Sequence, residues 1–454
     1  MTRRTLLVGA GAGVLGVLLA SCTPEPVPTP TPTSPSPKPT PSGDGPTPSA
    51  FARSAWTTDP FSRGAASFTP VGTQPSAREA LAAPVGDRLF MAGEATDADA
   101  PGTLSAALRS GLRAAEELLD VAVEGERVAV VGAGLAGAAA VSRLLAAGLE
   151  VTVFEGRDRV GGRVQSVVDE ESWPFPAQLG GWLVGEGGAE MGERLDALDI
   201  RTATLETPAW RSAEGEVEPV PDQRITDAVA AAQLLPADSS LADALAAAGA
   251  DIEEPGLAAL LAAVSASTGI APDEASSWFP PALPAASPTV ALGDLGSVFD
   301  SLLEGARMSL SSPVSRVAHD DRGVSLGIAT GESLSFDRVV LTVPLGVLQS
   351  DGIEFSPALP FSHRGAVAAL GMGRIETIWL RFDEPLIETD AALWHVVGGE
   401  ALIRTWYSLA PATGENVLVG IVGGASAAEF ADLDDDDALA AALSSLAVFT
   451  ASGG

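Results

Sequence analysis

Three glycines, an acid and an arginine carry the strongest chemical signal in this chain of 454 residues. In "RVAVVGAGLAGAAAVSRLLAAGLEVTVFEGRDRVGGRV", residues 127–164, Gly132, Gly134 and Gly137 stand in G-x-G-x-x-G spacing, with Glu155 and then Arg163 downstream. The first glycine permits a tight turn, the second lets a pyrophosphate approach the backbone, and the third lets a helix pack closely on a strand. The helix N-terminus then meets the phosphates with its free N–H groups. Glu155 stands where ribose hydroxyls are bound. The chemistry is that of holding a dinucleotide, and the glycine spacing by itself does not separate FAD from NAD.

Such a site needs particular elements around it. Residues 128–131 read as a buried strand, 136–147 as an Ala/Leu-rich helix, and "EVTVFE" as a second strand ending in Glu155. The expected class is α/β, with a Rossmann-type parallel sheet. One stretch sits oddly in that order. "RLFMAGEATDADAPGTLSAALRSGLRAAEELL", residues 88–119, reads as a strand, a Gly93-Glu94 turn and a long helix, yet it precedes the glycine motif.

"GRDRVGGRV", with Arg157, Gly161, Gly162 and Arg163, resembles the second FAD signature of the flavin-containing amine oxidase family. That family includes monoamine and polyamine oxidases, L-amino-acid oxidases and histone lysine demethylases. The resemblance extends to "AQLGGWLVG" (residues 177–185), whose Gly180, Gly181 and Trp182 would pass beside the flavin, and to "SPV", whose Val314 would lie by the adenine. "LGMGRIETIWLRFDEPL" and "LIRTWYSL" resemble strands of the family's substrate domain, an α+β unit with a mixed sheet and Ala-rich helices. The chain stops at "VFTASGG", where the family continues into Trp-x-x-Asp-Pro and Ala-Gly-Glu segments; "AWTTDPFSRGAASF" (55–68) and residues 88–119 resemble those segments at the front. The resemblance therefore implies a circular permutation, joined by "DVAVEGE". Geometry permits it: the cofactor lies at the carboxyl ends of the strands, and a tail helix descending about 24 Å would end where the first strand begins. On this reading Glu94 bonds the ribityl or phosphate end of a non-covalent FAD. The Thr103–Leu104 backbone meets the ring, and Trp56 packs near it.

The family's chemistry is hydride transfer from the carbon beside an amine to the flavin, with oxygen as acceptor. Many members add a lysine that holds a water at the flavin and two aromatic residues that sandwich the amine. This chain departs at all three. The lysine position is Thr377, preceded by Glu376, and the sole lysine, Lys38, lies elsewhere; the two aromatic positions are Ala66 and Ala100, and a position often His or Glu is Val184. Trp182, Trp406 and Tyr407 are the aromatic walls that remain for a wide, apolar substrate pocket. Because a cage contributes about 0.5–2 kcal/mol per cation–π contact, its loss points away from small monoamines and toward a bulky amine or amino acid. A flavin-binding module without turnover and a desaturase of apolar substrates stand as alternatives. No catalytic residue is assigned, and three scattered histidines offer no metal-ligand spacing.

Composition bounds the setting. A net charge of -33 disfavours nucleic acid and anionic lipid as partners. "MTRRTLLVGAGAGVLGVLLASC" combines a twin-arginine start with an apolar run too short to span a bilayer. "LASC" resembles a bacterial lipobox, which implies export and a lipid anchor at Cys22, the only cysteine, on the outer face of the cell membrane. The expected organisation is a signal over 1–22 and a Pro/Thr/Ser linker over 23–50, then the permuted tail of the FAD domain over 51–120. The FAD domain follows over 127–205, a helical part of the substrate domain over 206–290, an FAD-domain return over 291–348, and the substrate domain over 349–454.

Overall fold

The computed structural model describes residues 46–185 and 187–450; the signal, Cys22 and most of the linker lie outside them. Ahead of the glycine motif the chain forms β1 (Ala50–Arg53), β2 (Ala66–Phe68), α1 (Ser76–Ala82), β3 (Leu89–Met91) and α2 (Leu104–Leu119). The motif itself forms β4 (Arg127–Val131), α3 (Leu135–Ala146) and β5 (Glu150–Phe154). Every residue of β4 after Arg127 is buried, as a central parallel strand covered on both faces requires.

A five-stranded parallel sheet runs in the order Arg307–Ser309, β5, β4, Arg338–Leu341, β3. β3, which precedes the motif in sequence, thus lies two places from the motif strand and parallel to it. α2 buries Ala106, Leu108, Gly111, Ala114, Ala115 and Leu118, a helical-period stripe, against α3 and the sheet. Small residues let the two helices approach closely: a Cβ on Gly111 would overlap the carbonyl oxygen of Ala136. Thr103 caps α2 by accepting the Ala106 N–H at 3.1 Å. Beyond the other end of α2, Arg338 ties the short connection to β4. Its guanidinium bonds the Val121 carbonyl at 2.6 Å and the Glu126 carboxylate at 2.6 Å.

A second, seven-stranded sheet has the order β1, Ile375–Arg381, Val417–Gly423, Thr405–Ser408, Leu393–Val396, Pro208–Ser212, Gly215–Glu216. The helices Gln223–Ala232, Leu241–Ala247 and Pro255–Thr268 realise the expected Ala-rich region. Three expected boundaries shift. β1 pairs with Ile375–Arg381, so the front of the 51–120 segment belongs to this sheet and not to the nucleotide domain. Pro208–Ser212, expected in the helical part, is a strand of the same sheet. Ser49, inside the expected linker, is already packed, its N–H donating to the Arg381 carbonyl. Hydrophobic alternation marks each of these strands but does not say which sheet receives it.

His395 lies on this sheet, stacked on Trp210 with centroids 4.4 Å apart. Its Nδ1 is enclosed without a hydrogen-bond partner among the described residues, and burial pushes the imidazole down to about 4. The folded ring therefore stays neutral where the unfolded one, near 6.5, takes up a proton. As pH falls from about 6.5 to about 4, the unfolded state binds more protons, so stability drops by at most about 3 kcal/mol. His395→Phe should remove that part of the decline in urea unfolding measured at pH 7 and pH 4.5.

Candidate cofactor and substrate site

Ligands of open α/β sheets sit beyond the carboxyl ends of the strands. Here those ends deliver Gly132 from β4, Glu155 from β5, Thr342 from Arg338–Leu341, and Gly93-Glu94 from β3. Gly132 has φ +108°, which only glycine adopts without strain. A Cβ there would lie 2.5 Å from Thr342 Oγ1, which itself donates to the Val131 carbonyl at 2.9 Å. A Cβ on Gly137 would overlap the Gly132 carbonyl, so the third glycine is spent on the strand–helix contact, as the spacing predicts. Gly134 opens α3 and faces Gly161 and Gly162 across a bridge.

Glu155 is buried and accepts the Ala133 N–H at 2.8 Å and the Arg157 N–H at 2.9 Å. Arg157 turns toward the front segment, bonding Asp59 at 2.6 Å and Ser62 at 2.7 Å. Ser311 and Ser312 donate to the carbonyls of Arg157 and Glu155, which brings Val314 to the end of β5.

The centre of the site is an ion pair. Arg163 Nη1 meets Glu94 Oε1 at 3.0 Å and also bonds the Ala65 carbonyl. Glu94 accepts further from the Ser67 hydroxyl at 2.6 Å and the Gly102 N–H at 2.9 Å. Ser67 in turn accepts from Arg78, a guanidinium 1 % exposed whose Nη2 finds no partner among the described residues. Burial alone would push the Glu94 carboxyl up, but Arg163, Ser67 and Arg78 together hold it below the usual carboxylate range. Arg159, half-buried beside Arg157, is pushed down to about 10 by desolvation and lies over the Trp56 ring. A small cavity lined by Gly93, Glu94, Arg163, Pro344 and Leu345 opens at this point.

Gly180, Gly181 and Trp182 follow. A Cβ on Gly180 would lie 3.1 Å from the Trp56 ring, and one on Gly181 would lie 2.8 Å from Leu104 at the start of α2. Trp56 Nε1 donates to the Leu179 carbonyl at 2.6 Å, and Thr377 Oγ1 donates to the same oxygen at 3.3 Å. Trp182 packs on Trp379 and Tyr407, with centroids 5.1 and 6.1 Å away. Ala66 in β2 adjoins Gly102, and Ala100 adjoins Gly187.

Two expected pocket residues lie elsewhere. Trp406 faces the opposite side of its sheet, where Nε1 donates to Ser445 of the helix Asp435–Thr450; it is core packing. Adjacent strand residues point to opposite faces, so Trp406 and Tyr407 cannot both line one pocket. Val184 packs with Met191 and Leu195 in the nucleotide-domain core. Sequence reasoning also missed Asp59, Ser62, Ser67, Arg78, Arg159 and Thr342. Trp379 was missed too, though it stands two residues from Thr377 on the same strand face and period-two counting would have found it.

A family model for flavin-containing amine oxidoreductases matches residues 40–119 and 241–451, well over half of the chain. The chain belongs to that family. A model for NAD(P)-binding Rossmann-like domains covers residues 130–184 between the two matched parts. Polyamine oxidase 4 of Oryza sativa subsp. japonica is 27% identical over 352 residues, 70% of this chain and 72% of that protein. Lysine-specific histone demethylase 2 of Homo sapiens is 25% identical over 366 residues, 70% of this chain but 43% of that protein, so the chain spans under half of the demethylase. Among solved structures, the cyclohexylamine oxidase from Brevibacterium oxydans IH-35A aligns with TM-score 0.58 at 21% identity, covering 71% of this chain and 81% of that one. A putrescine oxidase bound to putrescine aligns with TM-score 0.57 at 20% identity, covering 72% and 82%. These likenesses establish the fold. As a member of this amine oxidase family the chain is an FAD-dependent oxidoreductase, and its residues fit the cofactor. The Gly132 turn and α3 N-terminus suit a pyrophosphate, Glu155 suits a ribose, and Arg163 with Glu94 suits the polar stem of the flavin.

Proposed function

We propose that this family member oxidises the C–N bond of a bulky amine or amino acid, with oxygen as electron acceptor. Bound FAD supplies the redox chemistry by accepting a hydride from the carbon beside the nitrogen. The protein's own residues would position the reactants. The observation that carries the reading is the Glu94–Arg163 pair set beside the Gly132 turn, with Trp56, Gly180 and the Trp182–Trp379–Tyr407 cluster next to it. Ala66 and Ala100 leave no ring on the cage positions, which favours a large substrate over a small one. The acidic surface raises the local concentration of cationic amines.

The rewired chain order supports the same reading. β3 and α2 precede the motif yet pack onto its sheet, and residues 120–126 suffice to connect α2 with β4. We read this as a circular permutation of the family order. Export and lipid attachment through Cys22 complete the proposal, and mass spectrometry of the membrane-extracted protein would test them.

Anaerobic mixing of the purified yellow protein with a panel of amines should bleach the flavin with bulky substrates far faster than with methylamine. Air should then restore the colour and release peroxide. If no amine bleaches it, the oxidase reading fails. Thr377 favours a second reading: with no ammonium group there and its hydroxyl given to Leu179, the protein would retain flavin without turnover. Bleaching at a useful rate eliminates that reading.

A further inference from the structure

Glu376 is 0 % exposed on the strand Ile375–Arg381, and among the described residues it forms no ion pair. A buried carboxylate without a cation is costly unless donors converge on it. Three do. Ser54 Oγ donates at 2.5 Å and the Trp56 N–H at 3.1 Å to one oxygen, and the Thr57 N–H donates at 2.7 Å to the other. Ser54 closes the junction by accepting the Thr377 N–H at 2.8 Å and donating its own N–H to the Thr377 carbonyl at 3.0 Å. The turn after β1 is therefore bonded, residue by residue, to Glu376 and to Thr377, the position where the resemblance puts a lysine.

We propose that Glu376 is a positioning residue for Trp56, setting the indole against the flavin in place of the lysine chemistry this chain lacks. The carboxylate holds the backbone of Trp56 and Thr57. The Leu179 carbonyl and Gly180 hold the ring. With both ends held, the indole keeps one rotamer without any covalent constraint. An amide could not do this equally well, because its NH2 would turn a donor toward donors. The proposal rests on the reading that Trp56 borders the isoalloxazine.

Flavin fluorescence in the holoprotein is the readout, since an indole in contact with the ring quenches it and a merely structural defect at constant flavin content does not relieve that quenching. Trp56→Phe should raise the fluorescence several-fold. Glu376→Leu, compared at equal flavin occupancy, should raise it toward the same level, and adding it to Trp56→Phe should change nothing more. Glu376→Gln and Ser54→Ala each withdraw part of the junction and should give smaller rises, which keeps the comparison available should Glu376→Leu fail to fold. Fluorescence unchanged in the Glu376 and Ser54 variants while Trp56→Phe raises it would overturn the proposal. An unchanged Trp56→Phe would overturn the placement of Trp56 and the proposal with it.

Discussion

Exchange of Glu94 for leucine should yield a protein without flavin and less stable by about 3–5 kcal/mol, the range for breaking a buried charge pair from one side. The reason is the number of groups that lose their partner together. Arg163, the Ser67 hydroxyl and the Gly102 N–H all point at this carboxylate, and Arg78 is balanced through Ser67. Leucine would leave the half-buried Arg163 facing apolar carbon and remove the carboxylate that balances the buried Arg78 through Ser67. Glu94→Gln keeps the shape and loses the charge, so its deficit should be smaller, with weakened but measurable flavin binding. The pH dependence has a definite sign. The folded carboxyl lies below its ordinary value, so its contribution is fully present above about pH 4.3 and is lost as pH falls through the folded value. Urea unfolding with and without flavin, at neutral and acid pH, should show wild type losing this increment on acidification and Glu94→Gln lacking it throughout.

A second large effect is expected where α2 crosses α3. Gly111→Val places a branched side chain on the Ala136 carbonyl, a backbone atom at the start of the nucleotide helix that cannot swing aside. The helices must separate, at roughly 3 kcal/mol or more. Separation also moves Leu104 away from Gly181 at the other end of α2, so flavin affinity should fall along with the unfolding midpoint. The neighbouring Leu112 is 40 % exposed on the outer face, and Leu112→Ala should change stability by only about 0.5 kcal/mol or less. Equal losses in the two variants would show that the helix contact is not what matters.

Much of the nucleotide turn is legible in the sequence, because its residues are set by local spacing. A glycine at 132 and another at 137 have a single geometric use between a strand and a helix, and both are used that way here. Resemblance assigns Glu94 and Arg163 each to the cofactor, and the structure brings them within 3.0 Å of one another, an ion pair that the spacing does not announce. The misses have a common cause. Trp406 and Val184 were assigned to a pocket by residue type, but the face a strand residue occupies depends on which sheet face is covered, and the helix Asp435–Thr450 that covers Trp406 comes from far along the chain. Arg78 was invisible, and Glu376 had no interior role assigned, for a related reason. A charged residue in an otherwise ordinary stretch reads as surface, and only the folded partners, Ser67 and the turn after β1, give it an interior role. The helices between residues 223 and 268 read correctly as helices while saying nothing of specificity, since alanine and leucine bury equally well against any partner.

The carboxyl edge of the parallel sheet is assembled from β3, β4, β5 and Arg338–Leu341, and the Trp56 turn needs Glu376 as well. A ribosome must therefore deliver the chain as far as Glu376 before any complete berth for the dinucleotide exists. Early segments such as α2 wait for later ones, and insertion of the prosthetic group follows delivery of the Glu376 strand. Starving cells of riboflavin should then trap chains that extend past Glu376, not shorter nascent ones, in a protease-sensitive form.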